Sequence, residues 1–226
     1  MKRIATGILA AVLMLSACSR IPDILYRTFL FGSMDGQTVM YGDDGRIYHF
    51  NNTDGVENIP SSGRVVAYLD AISLQEGTDN DYEASLLELY LPLSKDPVLC
   101  SNDEEEIALG KDPINISNGI VSAGHLNLVC SFYLSDESDP EKHVVNLQVV
   151  PLSSPDSLRL VLRHNATDDL TLTDEHELSE RGFYASFPLD KSIPEDKSDN
   201  LILEIRWFWD GAWESNCVKY ERKKQE

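Results

Sequence analysis

The apolar residues of this chain fall into short segments separated by turn residues, and this pattern predicts strands. Branched and aromatic side chains are frequent in the segments, and Gly, Asp, Asn or Pro lie between them. In SLRLVLR, residues 157–163, leucine occupies every second position and faces one side of a strand, whereas arginine and valine face the other. No stretch keeps a helical period for more than about three turns. We therefore predict an all-β fold with very little helix.

The first group of predicted strands contains a hairpin. Residues 37–41 and 46–50 flank the sequence GDDG, and Gly and Asp tolerate the positive φ that hairpin turns need. Residues 64–72 predict a longer strand. Residues 84–91, ASLLELYL, fit either a strand or a helix.

An acidic, polar stretch separates this group from a second group of strands. We expect residues 101–111, which contain SNDEEE, to be a solvated linker. A calcium site is the alternative, but the stretch lacks the regular alternation and the glycine of a calcium loop. Seven predicted strands follow at the short spacing typical of an antiparallel β-sandwich. They are residues 113–116, 125–134, 142–150, 157–163, 182–189, 201–209 and 214–220.

Residues 1–17 have the layout of a secretory signal peptide. Lys2 and Arg3 precede an apolar run at residues 4–15, which is too short to span a bilayer because spanning takes about 20 residues. The following Leu-Ser-Ala-Cys resembles the lipobox of bacterial lipoproteins. The resemblance implies cleavage before Cys18 and a diacylglycerol on its sulfur. An ordinary secretory signal with an incidental cysteine is the alternative.

A lipid on Cys18 would hold the chain on a membrane outside the cytoplasm, because two or three acyl chains give stable anchoring. No acidic run follows Cys18, although such a run often marks surface export in lipoproteins of gut-type Gram-negative bacteria. We therefore favour the periplasmic face of the outer membrane over the cell surface. Residues 18–31 are expected to tether the first domain to that membrane.

The formal net charge of −19 limits the possible partners. Nucleic-acid-binding proteins show a basic footprint, so nucleic acid is excluded as a partner. Anionic headgroups would also repel the protein, which leaves the lipid itself as the membrane contact. A hydrophobic content of 42% is that of an ordinary folded protein.

Three cysteines remain besides Cys18, and they are Cys100, Cys130 and Cys217. Because three is odd, at most one disulfide forms among them. Their spacing fits no zinc-binding pattern, and we expect no metal or other cofactor. Cys130 lies in an apolar run and is expected to be buried. A link between Cys100 and Cys217 remains open.

Four segments resemble, in their order, the NigD-like lipoproteins of anaerobic Gram-negative gut bacteria. They are GHLNLVCSFYL at 124–134, KHVVNLQVV at 142–150, LRLVLRHNATDD at 158–169 and GFYASFPL at 182–189. The resemblance covers nearly all of the chain after Cys18 and is looser in the N-terminal half. It implies a small OB-type barrel, which we place at residues 32–100, and an antiparallel β-sandwich, which we place at residues 112–222. Residues 223–226 are expected to be a polar tail. The family name comes from a gene neighbourhood linked to bacteriocin production, and no common catalytic set carries over.

The sequence LRHNATDD, residues 162–169, is the main candidate for chemistry. A catalytic triad would need a serine on a constrained turn, and the chain has no G-x-S-x-G sequence. Metal ligation by His164 would need further ligands from separate predicted strands. We interpret Arg163, His164, Asn165 and Asp169 as a structural polar network at the end of a strand, and we predict that the protein is not an enzyme.

Trp207, Trp209 and Trp213 flank an Asp-Gly turn and are candidate ligand-binding residues. Trp207 and Trp209 share a face because the strand period is two. An exposed pair there would stack on sugar rings, and packing on the core is the alternative. Phe208 is expected to be the more exposed aromatic residue.

We predict a non-catalytic binding module of the cell envelope. Its expected partner is another envelope or secreted protein, since exposed strand edges suit strand addition. The alternative is a glycan-binding protein that uses the three tryptophans. An envelope hydrolase is the weakest hypothesis because the sequence offers no pair of nucleophile and base.

Overall fold

The all-β prediction is confirmed. The computed structural model describes residues 24–135, 138–167, 169, 178–190 and 192–222. The predicted signal peptide, Cys18 and the polar tail at 223–226 lie outside these residues, as does Asp168. Across the described ranges, no helix has both the length and the apolar character needed to cross a membrane.

The first five strands close into a barrel in the order β1-β2-β3-β5-β4. They are β1 (Tyr26–Asp35), β2 (Val39–Gly42), β3 (Ile47–Asn52), β4 (Ser62–Leu74) and β5 (Asp81–Tyr90). The segment that fitted either a strand or a helix lies in β5, where the alternate residues Ala84 and Leu86 are buried in the barrel core. A barrel of five strands is what the resemblance implied, and its OB type stays a prediction.

The predicted GDDG hairpin joins β2 and β3. These strands pair antiparallel, and the N–H of Gly42 donates to the carbonyl of Arg46 at 2.8 Å. Gly45 has a φ of 82°, which residues with a side chain rarely adopt. The turn also places Asp44 where it accepts a 2.7 Å hydrogen bond from the buried hydroxyl of Tyr48.

The remaining strands form two packed sheets, which confirms the predicted sandwich. The sheets have the orders β14-β13-β11-β10-β7 and β6-β12-β9-β8. The strands are β6 (Leu93–Ser94), β7 (Val98–Leu99), β8 (Asn115–Ser122), β9 (His125–Ser135), β10 (Val144–Pro151), β11 (Ser157–Asn165), β12 (Leu178–Pro188), β13 (Asn200–Trp209) and β14 (Ala212–Glu221). Both sheets are mixed rather than wholly antiparallel, because β11 pairs parallel with β13 in one sheet and β12 pairs parallel with β6 in the other.

Two predicted domain bounds differ from the structure. β1 begins at Tyr26, inside the predicted tether at 18–31, because its alternate residues fill the barrel. β6 and β7 fall inside the predicted barrel domain at 32–100, yet they pair in parallel with β12 and β10 of the sandwich. The chain therefore crosses into the sandwich directly after β5.

The predicted linker at 101–111 contains a short helix, α1 (Asp103–Ala108). Asn102 caps it by accepting a 2.9 Å hydrogen bond from the N–H of Glu105. The acidic residues of the first turn suit the positive end of the helix dipole, which explains why an acidic run forms a helix here. A second short helix, of the 3₁₀ type, spans Pro140–Lys142.

A buried polar network joins the barrel to the sandwich. Arg64 donates two 2.7 Å hydrogen bonds to Asp43, and each side chain is only 7% exposed. From the sandwich, Asn127 Nδ2 and Ser122 Oγ each donate to Asp43 Oδ2 at 2.8 Å. Arg64 Nε donates to Ser186 Oγ at 3.1 Å. A buried charge is costly unless it is paired and hydrogen-bonded, so this network fixes the orientation of the barrel relative to the sandwich.

An aromatic cluster borders the same junction. The ring of Tyr184, from β12, lies 5.5 Å from Phe29, 6.2 Å from Phe31 and 5.4 Å from Tyr90 between ring centroids. Tilted and edge contacts of this kind add to the stabilisation from buried area. The barrel and the sandwich therefore meet through both polar and apolar contacts.

Candidate functional site

The hairpin of β13 and β14 carries the three tryptophans. Its turn, Asp210-Gly211, has φ values of 47° and 76°, the positive pair that a two-residue hairpin turn requires. Phe208 on β13 lies directly opposite Trp213 on β14. Alternation then places Phe208 on one face of the sheet and its neighbours Trp207 and Trp209 on the other.

Trp207 and Trp209 share a face, as predicted, but it is the face that packs against the rest of the sandwich. Trp207 packs on the sandwich core, and its buried Nε1 has no hydrogen-bond partner among the described residues. The ring of Trp209 stacks on Tyr133 with centroids 5.1 Å apart and planes 19° apart. Both residues therefore contribute to packing.

Trp213 occupies the opposite, outer face and is surrounded by cations. Its ring meets Phe208 at 5.6 Å, with planes 65° apart. Arg206 Cζ lies 5.1 Å from the Trp213 ring centroid, and Arg163 Cζ and Lys111 Nζ each lie 5.4 Å from it. The tryptophans are therefore divided between the two faces of the sheet and form no single shared surface for a ligand.

β14 is an edge strand, and this makes it the main candidate for binding. Within the described ranges, β13 is the neighbour with which it pairs, and every residue of β14 except Val218 and Tyr220 is exposed. The N–H of Cys217 turns away from β13, since it donates to Asn216 Oδ1 at 2.8 Å. Backbone directions alternate along an antiparallel strand, so Ser215 and Lys219 also turn their N–H and C=O groups outward. A further strand would pair with this row.

Three concave surfaces lie along this edge. A groove of about 570 Å³ is lined by Ile202, Lys219 and Glu221, among others. Two smaller ones, of about 180 and 150 Å³, lie between β14 and β8, the first at Lys219 and the second at Asn216. An added strand would direct its side chains alternately to the two sides of the edge, where these surfaces receive them.

β11 ends within LRHNATDD, at Asn165. The structure brings His164 and Asp169 of the predicted network together with a further histidine, His143. His164 is fully buried, and its Nε2 atom lies 2.9 Å from Nδ1 of His143. His143 Nε2 lies 3.1 Å from Asp169 Oδ2. On the other side, His164 Nδ1 lies 2.9 Å from the carbonyl oxygen of Pro113. The result is a chain of hydrogen bonds from a carboxylate through two imidazoles to a carbonyl.

The Pro113 carbonyl at one end of this chain sets the direction of its hydrogen bonds. The Pro113 carbonyl can only accept, so His164 carries its proton on Nδ1 and accepts on Nε2. His143 must then donate from Nδ1. Its Nε2 faces the carboxylate of Asp169.

Burial controls the protonation of the network. Burial lowers the pKa of His164 below its usual value, the Pro113 carbonyl opposes this effect, and the charge of His143 adds to it. Burial alone would raise the pKa of Asp169, but hydrogen bonds from His143 and Ser138 bring that pKa below its usual value. Phe132 stacks on both imidazoles, with centroids 4.8 Å from His143 and 4.7 Å from His164.

Arg163 and Asn165 lie outside this chain of hydrogen bonds. Arg163 turns to the outer face, where its Nε donates to Gln148 at 2.8 Å and its Nη2 pairs with Glu106 of α1. The Nδ2 atom of Asn165 donates to the Ala108 carbonyl at 3.0 Å. Both residues hold α1 against the sandwich.

Sequence reasoning missed His143 as a member of the network. The sequence feature that could have identified His143 is the pairing of KHVVNLQVV with LRLVLRHN. These segments form the antiparallel strands β10 and β11, in which Val145 lies opposite His164. That register brings the residue just before β10 to the end of β11.

The three cysteines of the described chain are free thiols, so the possible Cys100–Cys217 link is not formed. Cys130 is buried in the sandwich core, as predicted, and burial raises the pKa of its thiol. Cys217 is exposed on β14. Among the described residues, no three His, Cys, Asp or Glu side chains gather as a metal site would require.

The sandwich is the part of the chain that matches a known family model. The family model of the NigD-like C-terminal beta sandwich domain matches residues 97–217, which is more than half of the chain. The match includes β7, in agreement with the pairing of that strand. A search of the curated proteins finds no match.

Several solved structures share the fold of the whole described chain. A candidate toxin-related protein from Parabacteroides distasonis is 19% identical, with a TM-score of 0.65 over 87% of this chain and 94% of its own. A NigD-like immunity protein from Bacteroides caccae is 16% identical, with a TM-score of 0.62 over 88% and 98%. A candidate lipoprotein from Bacteroides fragilis is 12% identical, with a TM-score of 0.58 over 89% and 100%. At such identities the likeness shows the fold.

Proposed function

The chain belongs to the NigD-like family, and we propose that it is a lipid-anchored, non-catalytic protein of the cell envelope that binds another envelope or secreted protein. The names of its structural relatives support this proposal. One is an immunity protein, one is a candidate toxin-related protein and one is a candidate lipoprotein. The first two names suit a secreted protein as partner, and the third suits attachment to a membrane.

The open edge of β14 carries the proposal. Its ten residues expose backbone groups at Ser215, Cys217 and Lys219, and grooves lie on both sides of it. Strand addition at such an edge derives affinity from main-chain hydrogen bonds and specificity from the grooves. The Asn216 side chain occupies one of the outward donors, and a partner carbonyl would replace it.

The proposed location follows from the lipobox-like sequence at Cys18. The lipid would anchor the chain to the outer membrane, and we favour the periplasmic face. Because the chain carries a net charge of −19, its folded domains gain nothing from anionic headgroups, and the acyl chains would supply the membrane contact.

The absence of catalysis is part of the proposal and rests on the geometry of LRHNATDD. His164 is fully buried, and both of its ring nitrogens are used within the network. A general base must reach the proton that it removes, and a ring enclosed by Phe132 and His143 offers no free nitrogen to a substrate. Glycan binding through Trp207, Trp209 and Trp213 has no shared platform to support it.

A crosslinked pull-down from native envelopes tests the proposal. Ser215→Pro removes an outward N–H and puts a ring in the path of an added strand, while the bonds to β13 stay intact. Ser215→Ala is the matched control, and Cys18→Ser tests the need for the anchor. We expect a specific protein to be captured by the anchored wild type and by Ser215→Ala, and to be lost with Ser215→Pro. Equal capture by Ser215→Pro and by the wild type would show that the partner does not bind at the edge of β14.

A further inference from the structure

The barrel presents an apolar face to solvent on the side where the described chain begins. β1 and β4 pair side by side, and Phe29 on β1 lies opposite Tyr68 on β4. Leu25 extends the row of Phe29 because strand side chains alternate, and its N–H donates to the carbonyl of Ala71 on β4 at 2.9 Å. Leu25 is 57% exposed and Phe29 is 45% exposed. We call Leu25, Phe29, Tyr68 and the adjoining Tyr90 the β1–β4 face.

The β1–β4 face is close to neutral, although the chain as a whole carries a net charge of −19. Arg27 lies on this face and donates to Asp70 on β4, from Nε at 2.6 Å and from Nη2 at 2.8 Å. These two charges cancel. Glu88 adds a negative charge at the rim, where its carboxylate accepts a hydrogen bond from the hydroxyl of Tyr90. The face is therefore apolar and nearly uncharged in a strongly acidic protein.

The beginning of β1 brings this face close to the proposed lipid anchor. Ile24 is the sixth residue after Cys18, and an extended chain spans at most about 3.6 Å per residue, so six residues reach about 20 Å. From Leu25 to Phe29 the strand rises about 14 Å. The sandwich borders the far end of the face, where Tyr184 of β12 meets Phe29. The Leu25 end is therefore nearer to the anchor and more exposed than the Phe29 end.

We infer that the β1–β4 face lies against the membrane to which Cys18 anchors the chain. This inference rests on the lipid anchor of the proposed function and adds an orientation to it. Transfer of apolar surface out of water is favourable, and tyrosine rings suit the interface between headgroups and acyl chains. Because Arg27 and Asp70 neutralise each other, contact with lipid leaves neither charge unpaired. The acyl chains hold the protein on the membrane, and this face sets which side of the barrel meets it.

The acidity of the whole chain favours the same orientation. Anionic headgroups repel negative charge within about a Debye length of the membrane surface. This repulsion is reduced when a nearly neutral surface faces the bilayer and acidic surfaces point away from it. Apolar contact and charge therefore act in the same direction.

Quenching of a fluorophore by headgroup-nitroxide lipid tests this orientation on the full, lipidated chain in phosphatidylcholine vesicles. A thiol-reactive fluorophore is attached at Phe29→Cys in a Cys217→Ser background. Asn80→Cys in the same background is the matched control, because the Asn80 carbonyl accepts from the N–H of Ile47 on β3, which is not a neighbour of β1 in the barrel. Native Cys217, exposed on β14, is a second control. We expect strong quenching at position 29 and weak quenching at positions 80 and 217.

A charge placed on the face should disrupt the orientation. Leu25→Glu introduces an unpaired carboxylate where apolar surface meets lipid, so the quenching at position 29 should be lost. Tyr41→Glu makes the same change in charge at a residue that is 47% exposed on β2, and the quenching should persist. Flotation with the vesicles should be unchanged in both variants, because the acyl chains supply the attachment.

Two results would overturn the inference and leave the proposed anchor intact. They are equal quenching at positions 29, 80 and 217, and weak quenching at position 29, each in a chain that floats with the vesicles. Failure of the wild type to float, as with Cys18→Ser, would reject the anchor and the orientation together. The envelope pull-down with the Ser215 variants judges binding at β14 separately.

Discussion

Nδ1 of His143 lies 2.9 Å from Nε2 of His164, and this contact joins the segment before β10 to the end of β11. The histidine of LRHNATDD is thereby a buried structural group that links a carboxylate to the backbone of the segment after α1. The network comes closest to solvent at its Asp169 end, where the Asp169 side chain is 18% exposed and that of His143 is fully buried.

Replacement of His164 tests this structural role. His164→Ala leaves a cavity beside Phe132 and deprives the Pro113 carbonyl of its donor. We expect the free energy of unfolding, measured by urea denaturation, to fall by about 2–4 kcal/mol. His125→Ala is the control, since that ring bonds to the nearby Ala123 carbonyl. Equal losses for the two variants would contradict a special role for His164.

Stability should fall in mild acid. The pKa of His164 is lowered by burial, so below about pH 6.5 the unfolded chain takes up a proton that the folded chain refuses. The pKa of Asp169 is lowered as well, and its contribution is present above its unfolded value near 3.8 and is lost as the pH falls through the folded value. We expect unfolding free energy to decrease from pH 7 to pH 5, with a smaller slope in His164→Gln. An unchanged slope in the variant would assign the decrease to other groups.

Gly110 should be required for the approach of the α1 segment to β11. Its φ is 80°, and a Cβ there would collide with the His164 carbonyl and lie 2.7 Å from Asn165 Cα. Gly36 is the control position, because its φ is 67° and an added Cβ there would meet nothing within 4 Å. Gly36→Ala therefore measures the cost of the backbone strain without a collision. Both alanine variants lose about 1–3 kcal/mol to strain. We expect Gly110→Ala to lose measurably more stability in urea denaturation, and equal losses would count against the collision.

The domain junction should depend on the pair Arg64 and Asp43. Asp43→Ala strands a buried guanidinium, and loss of one partner of a buried pair costs about 3–5 kcal/mol. Glu204→Ala removes the half-exposed partner of Arg159 and should cost about 1 kcal/mol or less. A double-mutant cycle with Arg64→Met measures the coupling. A coupling energy near zero would show that the junction holds without this pair.

The free thiols should differ in reactivity. Cys217 is exposed on β14, whereas Cys130 is buried and its thiol pKa is raised by burial. Burial and the charges of Glu105 and Glu106 raise the pKa of Cys100. In a Cys18→Ser background, a thiol reagent at neutral pH should react fast with Cys217, slowly with Cys100 and with Cys130 only after unfolding. Fast reaction of Cys130 in the folded protein would contradict its place in the core.

Local patterns were enough to predict most strands. The alternating leucines of β11 and the GDDG turn between β2 and β3 depend on neighbours in the chain, and both form as expected. The parallel pairing of β11 with β13, and of the two-residue strands β6 and β7, depends on partners far apart in sequence. The alternation of apolar and polar residues within one strand does not show which distant strand it pairs with.

The candidate site was predictable only in part for the same reason. Alternation placed Trp207 and Trp209 on one face, but whether that face meets the core depends on the packing of the second sheet. The cation cluster around Trp213 draws Lys111 and Arg163 from segments that are distant in the chain. The helix α1 depends on the cap from Asn102. The acidic composition of the segment alone did not indicate that a helix would form there.

Photocrosslinking from the edge strand tests the central claim most directly. A benzoyl-phenylalanine placed at Lys219, exposed on β14, reports on any strand added there, and one placed at Tyr41, 47% exposed on the barrel, is the control. In living cells we expect irradiation to give one discrete protein adduct from position 219 and none of that size from position 41. The same adduct from both positions, or none from position 219 when the wild-type chain captures a partner, would contradict binding through β14.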